Sequence, residues 1–107
     1  HNSGHYSIEG CTTSQFHNHV RSVMNLPLGQ TDLKGPHVLM LNLLGTNEQV
    51  ASLYPIENFL KVKNGYLHLY GKELSKKGRK MGHFTLLGED PKAMLDLLKQ
   101  LKAEYTL

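Results

Sequence analysis

The sequence predicts a small α+β domain, a mainly antiparallel sheet of about three strands with two helices covering one face. Three observations carry this. An apolar run at residues 38–44 reads as a buried strand. Two alternating segments, residues 66–70 and 80–87, flank a basic loop like the arms of a hairpin. Two helical stripes, one toward each end of the chain, begin on good capping residues. At 107 residues the chain suits one modest core and is too short for two, so residues 1–107 read as a single domain.

Residues 1–13, rich in Gly, Ser, Thr and His, read as loop. Ser14, or Thr13 before it, is a good N-cap for a helix reaching Met24 or Asn25. Phe16, Val20, Val23 and Met24 fall at i, i+4, i+7 and i+8, one apolar stripe, and Asn25 and Pro27 end it. After a turn-rich connection over residues 29–36, the run at 38–44 is apolar on both faces, which predicts a central strand. Residues 50–59 are ambiguous: Leu53, Ile56 and Leu60 suggest a short helix that Pro55 restricts to one or two turns. Asn64-Gly65 marks a tight turn. Beyond it Leu67 and Leu69 share one strand face, and Tyr66, His68 and Tyr70 the other. In the second arm Phe84 and Leu86 oppose His83 and Thr85. Asp90-Pro91 is an N-cap followed by proline at the first helical position, and Met94, Leu95, Leu98 and Leu101 are expected to face inward until about Glu104.

Charge is concentrated. Residues 72–80 hold five of the twelve Lys and Arg residues and one acidic residue; removing that surplus of four from the formal +3 leaves −1. Such a loop is a ready anion site, phosphate above all, although a solvated hairpin tip guarded by lysines has the same composition. No apolar stretch is long enough to span a bilayer. A lone Cys11 cannot form an internal disulfide, and no charged-then-apolar leader opens the chain, so a cytoplasmic setting is expected. The opening His1 is not a methionine, and the dense polar start reads as the tail of something longer, as a processed end or as a cloning choice.

Seven histidines invite a metal. His17 and His19, two apart on a helix, point to different sides; His1 and His5 lie in loop; Cys11 has no CxxC partner. The spacing favours surface and loop histidines with local hydrogen bonds, and no metal centre is expected. His68 and His83 share a face and read as structural. No nucleophile elbow of the GxSxG type is present. Nucleic acid is not the expected partner, because the basic residues are local rather than spread along a groove. A free-standing phosphate-, nucleotide- or RNA-binding module stays open as the alternative.

Two segments, His1-Asn2-Ser3-Gly4-His5-Tyr6 and Thr13-Ser14-Gln15-Phe16, resemble the start of the C-terminal region of N5-carboxyaminoimidazole ribonucleotide synthetase, the ATP-grasp ATPase component of phosphoribosylaminoimidazole carboxylase. Leu26-Pro27-Leu28-Gly29, Met40-Leu41-Asn42-Leu43-Leu44-Gly45, Leu67-His68-Leu69-Tyr70-Gly71-Lys72-Glu73 and Gly78-Arg79-Lys80-Met81-Gly82-His83 extend the likeness in order along most of the chain. One departure is plain. Where the family has Arg-Pro between its Lys-Glu and Gly-Arg-Lys, this chain has Ser75-Lys76-Lys77, one residue longer and without that Arg.

The resemblance implies a C-terminal fragment of an ATP-dependent carboxylase-ligase of purine biosynthesis, inactive alone. The parent would activate bicarbonate as carboxyphosphate and carboxylate the exocyclic amine of 5-aminoimidazole ribonucleotide. ATP and Mg²⁺ would be bound mainly by parts that precede this chain, with no cofactor held by this chain alone. The resemblance also admits a homodimeric parent. It places Lys72, Arg79 and then Lys80 on the acceptor's phosphate. His1, Asn2 and Ser3 would line the junction with the transferred carboxyl group, His1 as the proton-handling or polarising group. Gly4 would let backbone approach a ligand closely.

Overall fold

A computed structural model describes residues 2–107, with Asn2 described by its backbone alone. His1, an expected site residue, lies outside the described residues. Among the described residues four helices and five strands follow in the order α1 (Ser7–Gly10), α2 (Gln15–Val23), β1 (His37–Leu44), β2 (Gln49–Val50), α3 (Glu57–Leu60), β3 (Gly65–Leu69), β4 (Leu74–Ser75), β5 (Lys80–Gly88) and α4 (Pro91–Glu104). A single 3₁₀ turn, Asn2–Gly4, precedes α1. The α+β class is borne out, with β1, β5 and β3 forming an antiparallel three-stranded sheet in that order. A two-stranded ribbon, β2 against β4, sits beside it.

The expected hairpin arms pair, Leu67 opposite Phe84 and His68 opposite His83. The expected central strand does not hold its place. β5 is central, with β1 at one edge. Apolar residues on both faces report that both faces are covered, and they carry no information about neighbours in the plane of the sheet. Leu39, Leu41 and Leu43 turn to the main core, while Val38, on the other face, lies against Gly10 of α1. The free edge is blunted at its end, where the Tyr105 hydroxyl donates to Leu44 O at 2.9 Å and accepts from Leu44 N at 3.0 Å.

The main core joins Leu43, Met81, Phe84 and Leu86 of the sheet to Phe59 of α3 and to Met94, Leu98 and Leu101 of α4. Met81 enters it through a register shift opposite Leu43/Leu44, which breaks the alternation of β5 and leaves His83 and Thr85 on the opposite face. Leu95 is 46% exposed, against expectation, because it lies a quarter turn from the row formed by Met94, Leu98 and Leu101. Leu97 packs there instead. Asp90 accepts from the backbone N–H groups of Lys92 and Ala93, capping α4 as its sequence predicts.

The helices do not share a face. α4 covers the apolar side of the sheet, and α1 lies on the histidine side. Ser14 caps α2 by accepting from His17 N, as expected, but α2 buries no residue. Its predicted stripe is open: Val20 is 54% exposed and Val23 74%.

Candidate functional site

The basic loop is not a plain hairpin tip. Leu74 and Ser75 pair with Val50 and Gln49, and Ser75 Oγ donates to Leu107 O at 2.8 Å. This ribbon divides the basic residues. Arg79 lines a cavity of about 440 Å³ with Gln49, Leu74 and Lys76, and its Nη1 donates to Leu74 O at 2.9 Å. Lys72 lines a different cavity of about 350 Å³ with Leu53, Leu69 and Met81, and its Nζ donates to Lys80 O at 2.6 Å. Lys80 is exposed at the start of β5. Lys72 is thus tied to the backbone of Lys80, and Arg79 lines a separate cavity beside the ribbon.

The amino-terminal turn is tied down from several sides. Ser7 Oγ donates to Gly4 O at 2.6 Å and accepts from Gln15 N at 3.0 Å. Gly4 is buried against the Gln15 side chain, so its missing Cβ serves packing within the chain. Ser3 is exposed. His5, which follows Gly4, reaches the sheet: its Nδ1 lies 3.0 Å from Tyr70 Oη. Lys72 Nζ lies 5.9 Å from the centre of the same Tyr70 ring. Tyr70 therefore joins a cation of the basic loop to the residue that follows the His1-Asn2-Ser3-Gly4 stretch.

Tyr70 also opens onto a part-buried polar cluster centred on the buried His83. Its hydroxyl lies 2.9 Å from His83 Nδ1. His83 stacks on His68 with ring centres 4.6 Å apart, and His5 lies 4.9 Å from His83 on centres. Glu9 of α1 closes the group with a hydrogen bond to His68 Nε2. Burial first, then the neighbouring imidazoles of His68 and His5, lowers the His83 pKa to about 4, so this ring is neutral at pH 7. Burial raises the Tyr70 pKa, which keeps its phenol proton in place. The alternation of β3 and β5 places His68 and His83 together from sequence alone. Nothing in spacing brings Glu9 or His5 to them, because both arrive from segments some sixty residues away in the chain.

Among the described residues, Glu9, His68 and His83 are the group whose donor atoms converge as metal ligands would. Mg²⁺ takes oxygen donors in octahedral array, and a pair of imidazoles does not match it. No step through Mg²⁺ is placed on this chain.

A family model described as the phosphoribosylaminoimidazole carboxylase C-terminal domain matches residues 38–96. The N5-carboxyaminoimidazole ribonucleotide synthase of Bacillus subtilis is 48% identical over 87 residues, covering 81% of this chain and 22% of that protein. The crystal structure of the Thermotoga maritima synthetase superposes with a TM-score of 0.90 at 44% identity, covering 99% of this chain and 30% of its own. The Aspergillus clavatus synthase, solved with ADP and 5-aminoimidazole ribonucleotide, gives 0.78 at 36% identity over 94% of this chain and 27% of its own. The chain spans less than a third of each of these proteins.

Proposed function

The chain belongs to the phosphoribosylaminoimidazole carboxylase C-terminal domain family, and from that membership we propose that it is the C-terminal part of an ATP-dependent ligase. The parent carboxylates the exocyclic amine of 5-aminoimidazole ribonucleotide with bicarbonate, giving N5-carboxyaminoimidazole ribonucleotide for purine biosynthesis in the cytoplasm. ATP and Mg²⁺ act in the parts of the parent outside this chain, and the parent works as a homodimer. The observation that carries the reading is the overlap of 94% of the chain with an enzyme whose crystal holds ADP and the ribonucleotide.

In this reading Lys72 is the leading cation for the acceptor's phosphate. It is anchored on Lys80 O and faces Tyr70, whose hydroxyl reaches His5 beside the amino-terminal turn. Lys80 adds charge from the adjoining strand end. Arg79 is exposed, and its guanidinium is held by one hydrogen bond to Leu74 O, an interaction worth about 1 kcal/mol net, which a phosphate readily outbids. Asn2 and Ser3 orient the carboxyl group in transfer, and His1 handles the proton leaving the amine. The open stripe of α2 supports a parent longer than this chain, since it offers Phe16, Val20, Val23 and Met24 to a covering segment.

The test is kinetic. Lys72→Ala in the full-length parent should raise the Michaelis constant for the ribonucleotide by roughly 10–100-fold, the worth of a charge-assisted phosphate contact. An unchanged constant removes Lys72 from the site. The isolated chain should show no turnover with ATP, Mg²⁺, bicarbonate and the ribonucleotide, and turnover there would overturn the fragment reading.

A further inference from the structure

The Glu9–His68–His83 group lies outside the residues given to the proposed reaction, and it has the composition of a ligand set. The three side chains come from three elements, α1, β3 and β5, and their donor atoms all lie within 4.8 Å of one another. His68 and His83 are direct cross-strand partners, which aims both rings from one face of the sheet toward α1.

Two atoms of the group are buried without a hydrogen-bond partner, Glu9 Oε2 and His83 Nε2. His83 is only 1% exposed. Buried polar atoms left unmatched in this way are costly, and native proteins leave few of them. The Tyr70 hydroxyl has one proton to share between His5 Nδ1 and His83 Nδ1. When it donates to His5, it accepts from His83 Nδ1–H, and His83 Nε2 is then left as a bare, buried lone pair. A metal-bound imidazole commonly donates its second ring N–H to a fixed oxygen, and Tyr70 is placed to receive it.

We propose that Glu9, His68 and His83 form a site for a divalent transition-metal ion of the Zn²⁺ class. Two neutral imidazoles and one carboxylate suit that class, whereas Mg²⁺ and Ca²⁺ select oxygen-only sets. The ion satisfies both unmatched atoms and replaces the Glu9–His68 hydrogen bond with two metal bonds. It clamps α1 to the central and edge strands, and through α1 it holds the amino-terminal turn against the sheet. This site does not depend on the proposed carboxylation.

The test uses the full 107-residue chain, stripped of metal with a chelator and titrated with Co²⁺ and then Zn²⁺. One equivalent of Co²⁺ should develop visible d–d absorption, which Zn²⁺ abolishes, and thermal stability should rise with free Zn²⁺. Glu9→Gln and His83→Gln should each weaken binding by more than tenfold, the lower bound for disturbing even an outer partner. His17→Gln/His19→Gln, on the open face of α2, should leave binding unchanged. Imidazole NMR of the unmutated chain covers the case of a variant that does not fold: Zn²⁺ should shift His68 and His83. Absence of one-to-one binding, or shifts confined to other histidines, would overturn the proposal.

Discussion

His83 sets a pH dependence that a surface histidine would not. Its pKa is depressed to about 4 by burial and by the imidazoles of His68 and His5, with Glu9 and Tyr70 as the other groups facing the cluster. The unfolded chain takes up a proton near pH 6.5 and the folded chain resists it. Stability of the metal-free protein is therefore complete above about pH 6.5, falls as the pH drops toward about 4, and levels off below that. The loss from this residue is roughly 3 kcal/mol. Urea unfolding in chelator across that window should show the slope, and His83→Gln should flatten it. At this scale the sequence is informative about partners within a hairpin and silent about partners from afar. Alternation places His68 with His83, but Glu9 and His5 join them through tertiary packing. Lys72 and Arg79 are close in sequence, yet the short β4 strand between them, which its two residues do not announce, sends them to different cavities.

Elements with their own capping chemistry are the most legible. Ser14 and Asp90 open α2 and α4 where side-chain oxygens next to an apolar stripe predict them. Asp90→Ala should cost about 1 kcal/mol, read as a lower urea midpoint at unchanged slope, because two backbone N–H groups of α4 lose their acceptor. β1 is legible as a strand and illegible as an edge, since face patterning reports burial above and below and nothing of lateral neighbours. The bulge that delivers Met81 to the core is likewise hidden, because strict alternation assigns Met81 to the face of His83.

For the whole molecule, the open side is the outcome the periodicity could not foresee. The α2 stripe has the spacing of a core face, and the described residues provide no cover for Val20 or Val23. Val20→Glu with Val23→Glu should change the thermal midpoint of the isolated chain by no more than a surface substitution does, within about 0.5 kcal/mol. In the longer parent the same pair should destabilise measurably, read by comparing the two melts. Equal, large losses in both would place the stripe inside a core of this chain. The main core and the class of fold follow from the sequence because they rest on local periodicity. The site follows only in part, because it is assembled from four separate segments.

Tyr105 gives the sheet margin a particular temper. By holding both the N–H and the carbonyl of Leu44, its phenol occupies the slot where an extra strand would begin to zip on. Self-association through β1 would then have to start farther back, nearer His37, and removing that hydroxyl would turn a quiet border into an adhesive one.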